Sequence, residues 1–102
     1  MNLYALDEKN CVVEVDFFSG VNFPLRKTID NTIINEYEVR TSFIGVNVNP
    51  NSNGPIQTFE TIIMNNLQIC GRYSTYKEAV AGHNKIVRDI ECGRFENSSD
   101  FV

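Results

Sequence analysis

One segment of the chain carries a complete set of helix signals, and it is the last well-patterned segment of the sequence. Thr75 and Glu78 form a capping box, in which the threonine oxygen accepts the Glu78 amide and the glutamate reaches back. A stripe of side chains then recurs every three or four residues: Tyr76, Ala79, Val80, His83, Ile86, Val87 and Ile90. Gly93 favours a helix end just past Cys92. The sequence therefore predicts one amphipathic helix, and the preceding chain must supply the surface on which it packs.

The segments before this helix are patterned as strands. Residues 3–6 and 11–15 flank a polar turn at 7–10 and predict a hairpin. Residues 28–34, 36–48, 56–64 and 67–70 are rich in β-branched and other apolar side chains and predict further strands. Asp16 favours a brief helical turn over Phe17 and Phe18. Residues 47–55, with four asparagines, two prolines and a glycine, predict a loop.

The longest strand-like segment has different residues on its two sides. Val39 and Phe43 share one side with Thr41, and Arg40 lies on the other side, together with further polar residues. Gly45 predicts a bulge or bend at the point where the apolar residues change sides.

Several strands followed by one amphipathic helix predict an α+β fold. We expect an antiparallel sheet of four to five strands with the C-terminal helix packed on one face. The length of 102 residues fits a single domain, which we place at residues 1–96, with a flexible polar tail at 97–102. One helix covers only one face of such a sheet, and apolar residues occur on both sides of the strands, so we expect a homo-oligomer.

Charge and composition argue against several classes of protein. Nine basic and thirteen acidic residues give a net charge of −4, and no basic cluster exceeds Arg26-Lys27, so we expect no duplex nucleic acid as partner. No apolar run is long enough for a transmembrane helix, and the opening MNLYALDEKN lacks secretory-signal features, so we expect no membrane association. Three widely spaced cysteines and one histidine predict reduced thiols, with no metal and no cofactor.

The only histidine, His83, lies in the middle of the predicted helix stripe. One interpretation is a general base or ligand that faces a pocket. The other is a core histidine that is hydrogen-bonded to a strand backbone or to a buried carboxylate. The sequence leaves both open.

Glu60 and Arg72 also have two interpretations each. Glu60 lies inside a predicted strand, where a carboxylate is costly unless it is solvated or paired. It is either an acid at a site, opposite His83 or Arg72, or a residue on the solvent face. Arg72 and Tyr73 directly precede the helix, where an arginine and the first helix amides can hold an anion or a phosphate. Alternatively, Arg72 pairs with Glu60 or Glu78 for structure. Glu60, Arg72 and His83 are expected to converge as one polar set if the helix folds back over the strand that ends near Met64.

The sequence contains no GxSxG, P-loop, HExxH or GxGxxG motif. A small enzyme would have to assemble Glu60 and His83 through the fold, and we expect no enzyme activity and no catalytic residues. The candidate residues for binding a ligand or partner are Arg40, Glu60, Thr61, Arg72, Tyr73 and His83.

Several short motifs occur in an order that resembles a family of small, uncharacterised bacteriophage and prophage proteins. They are Phe43-Ile44-Gly45, Phe59-Glu60-Thr61-Ile62-Ile63, Arg72-Tyr73-Ser74-Thr75-Tyr76, Glu78-Ala79 and Ala81-Gly82-His83. The family has an FET(M/I) strand and an RYxTxxEAxxGH helix start, and the resemblance covers roughly residues 4–87. Its most specific part is RYSTYKEAVAGH.

The chain departs from the family pattern in two places. The family has Asp-His after a Leu-Gly-Leu stretch, whereas this chain has Asn47-Val48. An activity that depended on those two residues would be missing here. The segment after Val15 is also shorter than in the family, where it is helical.

The resemblance implies a phage origin, a location in the host cytoplasm and an accessory role. By analogy with other small phage proteins, we expect counter-defence activity through binding and blocking a host defence protein. One alternative is an oligomer that sequesters a defence signalling nucleotide at Arg72, Tyr73 and the helix N-terminus. A further alternative is a structural component of the virion.

Overall fold

The computed structural model describes residues 2–15 and 26–95, which contain six strands and one helix. A two-stranded hairpin consists of β1 (Leu3–Leu6) and β2 (Val12–Val15). A four-stranded antiparallel sheet follows, in chain order: β3 (Lys27–Ile34), β4 (Tyr37–Phe43), β5 (Phe59–Ile63) and β6 (Gln68–Tyr73). The helix α1 (Tyr76–Glu91) packs on one face of this sheet, which confirms the predicted α+β fold. The turn predicted at Asp16 and the tail at 97–102 lie outside the described residues.

The N-terminal hairpin confirms the prediction for residues 3–6 and 11–15. Asp7 Oδ1 accepts hydrogen bonds from the backbone amides of Lys9 and Cys11 at 2.8 and 2.9 Å, which closes the turn. The backbone amide of Tyr4 donates to the carbonyl of Gly45 at 2.8 Å. This bond fastens the hairpin to the end of the larger sheet.

The strands of the larger sheet differ in extent from the predicted segments. β4 ends at Phe43 rather than at 48, because Gly45 has a φ of 73° and turns the chain out of the ladder. β5 begins at Phe59 rather than at 56, and β6 continues to Tyr73 rather than ending at 70. The predicted loop at 47–55 contains no helix or strand.

The turns at one end of the sheet are tied together by an asparagine. Asn35 and Glu36, which join β3 to β4, have φ values of 47° and 74°, as in a two-residue hairpin turn with both central residues at positive φ. Asn65, in the turn between β5 and β6, accepts from the Glu38 amide at 2.8 Å and donates to the Glu36 carbonyl at 2.9 Å. These two bonds fix the neighbouring hairpins relative to each other.

Side-chain alternation divides the four-stranded sheet into two faces. The helix face carries residues that are all 0 % exposed: Val39, Thr41, Phe43, Phe59, Thr61 and Ile63. The opposite side, which we call the open face, carries residues paired in register across the strands: Thr28, Asn31, Arg40, Ser42, Glu60, Ile62, Ile69 and Arg72. None of the described helices and strands packs on the open face. The predicted separation of Arg40 from Val39, Thr41 and Phe43 is confirmed.

The helix begins and ends as predicted, with one difference at the cap. Thr75 Oγ1 accepts the Glu78 amide at 3.1 Å, but the Glu78 carboxylate accepts from the Thr75 hydroxyl at 3.0 Å instead of from a backbone amide. At the other end Gly93 has a φ of 72°, and the amides of Gly93 and Arg94 donate to carbonyls of the last helical turn. This arrangement is a Schellman motif.

Among the described residues, the core consists of two apolar clusters with a polar layer between them. The first joins the hairpin to the sheet and the helix through Tyr4, Leu6, Phe43, Phe59 and Ala79. The second joins Val39, Ile63 and Ile90. Thr41 and Thr61 lie between these clusters along their strands, and His83 lies between them along the helix. The three cysteines are not paired with one another. No helix in the described ranges is long and apolar enough to cross a membrane.

Candidate functional site

The candidate residues divide between the two faces of the sheet. Thr61, Tyr73 and His83 lie on the helix side, where hydrogen bonds connect them. Arg40, Glu60 and Arg72 lie on the open face, on neighbouring strands. Since the sheet separates Glu60 and Arg72 from His83, the prediction that these three side chains form one set is wrong.

His83 connects the helix to two strands and is only 1 % exposed. Its Nδ1 lies 2.8 Å from Thr41 Oγ1 on β4, and its Nε2 lies 2.8 Å from Thr32 Oγ1 on β3. The carboxylate of Asp30 approaches Nε2 to 3.7 Å from the partly exposed edge of the sheet. His83 thus lies in the core, as in the second interpretation, but its partners are threonine hydroxyls instead of the expected strand backbone or buried carboxylate.

The hydrogen bonds of His83 continue across the sheet. Thr41 Oγ1 lies 2.5 Å from Thr61 Oγ1, which lies 3.0 Å from the Tyr73 hydroxyl. In the tautomer with the proton on Nε2, which the Asp30 carboxylate favours, Nδ1 accepts from Thr41. Thr41 then accepts from Thr61, and Thr61 accepts from Tyr73. We call these residues, together with His83, the threonine chain; bonds aligned in one direction polarise and strengthen one another.

Two glycines make room for the last member of this chain. A methyl group at Gly71 or at Gly82 would overlap the ring and hydroxyl of Tyr73. Gly71 precedes Tyr73 on β6, whereas Gly82 lies on the helix next to His83. The close approach of the helix to the Tyr73 ring therefore depends on the absence of a side chain at these two positions.

The buried environment keeps both titratable members of the chain neutral at pH 7. Burial lowers the pKa of His83 below its ordinary value of 6.5, and the nearby Asp30 carboxylate opposes that shift. Burial raises the pKa of Tyr73 above its ordinary value of 10.0, and the hydrogen bond with Thr61 opposes this change. A neutral imidazole with both nitrogens occupied has no free position for a substrate, so the threonine chain orients the helix on the sheet.

Glu60 and Arg72 face each other directly across β5 and β6 on the open face. Glu60 Oε2 lies 3.8 Å from Arg72 Nε, and their side chains are 14 % and 32 % exposed. At this distance the two groups form an ion pair but no hydrogen bond. Arg72 Nε is buried and has no hydrogen-bond acceptor in the described part of the chain. The pair with Glu60 therefore holds the Arg72 side chain in place on the open face.

Arg40 is fixed on the open face by two polar neighbours. Its Nη2 donates to Glu38 Oε2 and its Nε donates to Asn31 Oδ1, both at 3.0 Å. Both contacts are partly exposed, and the Arg40 side chain is 40 % exposed. Arg40 therefore presents an oriented guanidinium beside the Glu60–Arg72 pair.

The anion site predicted at the start of the helix is not assembled. Arg72 and Tyr73 are consecutive residues of β6 and point to opposite faces, and the Tyr73 hydroxyl is bound to Thr61. Of the helix amides that belong to the predicted site, that of Glu78 already donates to Thr75. Arg72 and Tyr73 therefore do not converge with the first helix amides on one ligand.

Some residues that matter to these arrangements have no local sequence signal. Thr32 and Thr41 are 51 and 42 residues away from His83 in the chain, so no short motif links them to it. Their alternation within strands places them on the helix side, but only the pairing of β3 with β4 brings both to the histidine. Arg26 borders a depression on the open face with Arg40 and Glu60, although the sequence marks it only as half of a basic pair.

Comparison with models of known protein families finds no match, and neither curated proteins nor solved structures give one. Within residues 2–15 and 26–95, no group of three or more histidine, cysteine, aspartate or glutamate residues is arranged to hold a metal ion. The arrangement of residues on the two faces is thus the basis for a functional hypothesis.

Proposed function

We propose that the protein is a non-catalytic binding protein that acts by contact with another protein, and that the open face is its contact surface. The observation that carries this proposal is a row of charged side chains on a face that none of the described elements covers. Glu60 on β5 is directly opposite Arg72 on β6, and Arg40 is diagonally across from Glu60 on β4. These side chains are partly exposed and already oriented by neighbours.

The residues around this row support a protein as the partner. Ile69, on the same face of β6 as Arg72 and in register with Ile62, is 45 % exposed, and Ile33 on β3 is 75 % exposed. Arginine interspersed with apolar side chains is typical of protein interfaces.

The arrangement gives less support to catalysis. The acid and base available to a small enzyme were Glu60 and His83, and they lie on opposite sides of the sheet. His83 also has both nitrogens hydrogen-bonded in the core. The remaining residues of the open face offer recognition rather than proton transfer.

The resemblance to phage and prophage proteins supplies the biological part of the proposal. The partner is a host defence protein in the bacterial cytoplasm, and the protein blocks it by covering part of its surface. Sequestration of a signalling nucleotide at the start of the helix has less support, since Arg72 and Tyr73 point away from each other there. No particular contact among the described residues favours the other alternative, a structural component of the virion.

The proposal is tested with a charge reversal on the open face. The host partner is first identified by affinity purification from infected cells, then purified and titrated with the protein by calorimetry. Arg72→Glu should weaken the complex by about a hundredfold or more. It removes the attraction between Arg72 and an acidic group of the partner and replaces it with a repulsion. Lys77→Glu, on the exposed surface of the helix, is the matched control and should leave affinity unchanged.

Two results would contradict the proposal. One is a purified complex that tolerates both Arg72→Glu and Arg40→Glu. The other is loss of binding on substitution of the exposed helix surface instead of the open face. In either case the contact surface would lie elsewhere.

A further inference from the structure

A concave region at one end of the open face combines two kinds of lining. Two depressions share Arg26, Arg40 and Ser42. The first, of about 290 Å³, is also lined by Lys27, Thr28 and Phe43. The second, of about 150 Å³, is also lined by Ile44, Glu60, Ile62 and Met64. We call the two together the Arg26–Arg40 groove.

The first depression is cationic in a protein whose net charge is −4. Within the described ranges, no carboxylate forms an ion pair with Arg26 or Lys27. Arg40 uses Nη2 and Nε for Glu38 and Asn31, which leaves Nη1. Thr28 and Ser42 are paired in register between β3 and β4 and add two hydroxyls to the same face. Two guanidinium groups with hydroxyl donors between them match the oxygens of a phosphate group.

The second depression suits an apolar ring. Ile44, Ile62 and Met64 give it apolar lining, while the carboxylate of Glu60 can accept a hydrogen bond from an amino group. A ligand that spans both depressions therefore has a phosphate at one end and a flat, amino-bearing ring at the other.

We propose that the Arg26–Arg40 groove binds a nucleoside monophosphate, with the phosphate at Arg26 and Arg40 and the base against Ile62 and Glu60. The groove shares Arg40 and Glu60 with the proposed contact surface, so a nucleotide and a host protein would compete for this part of the open face, but nucleotide binding itself requires no partner protein. The groove also differs from the phosphate site expected at the start of the helix, since neither Tyr73 nor the helix amides take part.

The test titrates the purified full chain with AMP and with inorganic phosphate, each followed by calorimetry and by backbone amide NMR shifts. AMP should bind more tightly than phosphate and shift residues of β3, β4 and β5. Arg26→Ala should weaken AMP binding by about tenfold or more, as expected for loss of a charge-assisted hydrogen bond. Glu60→Gln and Ile62→Ala should weaken AMP binding but leave phosphate binding unchanged. Lys77→Ala removes an equal charge outside the groove and should have no effect.

Three results would overturn the proposal: no binding of AMP at millimolar concentration, equal affinity for AMP and phosphate, or AMP binding that survives Arg26→Ala. Displacement of AMP by a hexaglutamate peptide of comparable affinity would also count against it, because the groove would then be a site for acidic protein segments. Arg26 is exposed and has no ion-pair partner in the described part of the chain, so its replacement tests binding without disturbing the fold.

Discussion

His83 satisfies both of its ring nitrogens inside the core, and each of its partners depends on it in return. Thr32 and Thr41 come from different strands, so the imidazole fixes the helix against β3 and β4 at once. Protonation would place a second N–H on the ring. Nδ1 would then donate to Thr41, and the Thr41 hydroxyl proton would lose its acceptor on the ring. The histidine is therefore best suited to a role in stability.

We predict that His83→Ala lowers the free energy of unfolding by about 1–3 kcal/mol, because it leaves buried hydroxyls without partners. The neighbouring Asn84→Ala, at an exposed position of the same helix, should change it by less than about 0.5 kcal/mol. Urea unfolding followed by circular dichroism measures both. Equal effects of the two substitutions would show that His83 contributes nothing through its hydrogen bonds.

The pH dependence of stability should carry the signature of the same residue. The pKa of His83 is lowered in the folded state from its ordinary value of 6.5, so the unfolded chain binds the proton more readily. The contribution of neutral His83 to the free energy of unfolding is fully present above pH 6.5. It is lost as the pH falls from 6.5 towards the lower pKa that His83 has in the folded protein. Urea titrations between pH 7.5 and pH 5 should show this loss in the wild type. The His83→Ala variant should have a flatter profile, and parallel profiles would refute the assignment.

At the scale of elements, the start of the helix depends on one side chain of an adjacent pair. Thr75 accepts the Glu78 amide, whereas Ser74 precedes the cap. Thr75→Ala should cost about 1 kcal/mol of folding free energy, and Ser74→Ala should be mild. Chemical denaturation distinguishes the two. If both cost the same, the capping assignment is wrong by one residue.

The fit between α1 and β6 depends on Gly82. Replacing a helical glycine by alanine normally stabilises a protein, by up to about 1 kcal/mol. Here the added methyl group overlaps Tyr73, so Gly82→Ala should destabilise the fold and break the Thr61–Tyr73 hydrogen bond. In a Tyr73→Ala background the same substitution should become stabilising. A double-mutant cycle measures this change of sign, and its absence would mean that the ring moves aside without cost.

The elements that could be predicted from the sequence are those with local rules. The alternation of side chains along a strand correctly placed Val39 and Arg40 on opposite faces of the sheet. The capping box and Gly93 correctly located the two ends of the helix. The end of β4 could not be predicted, because Gly45 terminates the ladder although apolar residues continue beyond it. The grouping of Glu60 and Arg72 with His83 failed for a related reason. Proximity of motifs along the chain does not tell which side of a sheet a residue faces once bulges and turns set the register.

At the scale of the whole molecule, the edge strand β3 is eight residues long and has an exposed isoleucine at Ile33. No described strand pairs with its outer edge, and such edges pair readily with other chains. We therefore predict that the protein self-associates through this edge. Light scattering at high concentration should report a mass above that of the 11.6 kDa monomer.

Ile33→Lys should shift this equilibrium towards the monomer, since a charge on an edge strand opposes edge-to-edge pairing. Ile56→Lys serves as the control, because Ile56 is also exposed but lies outside the strands. A wild-type protein that stays monomeric at all concentrations would contradict the prediction. An oligomer unaffected by Ile33→Lys would indicate a different interface.

The alternation of the two faces has a consequence for how this protein can evolve. In the central strands, the odd positions 39, 41, 43, 59, 61 and 63 are buried beneath the helix, and the even positions 40, 42, 60 and 62 are on the open face. Selection for folding and selection for recognition therefore act on alternate residues of the same short strands. In a lineage that encounters a new target, the even-numbered residues can be substituted while the odd-numbered residues preserve the fold.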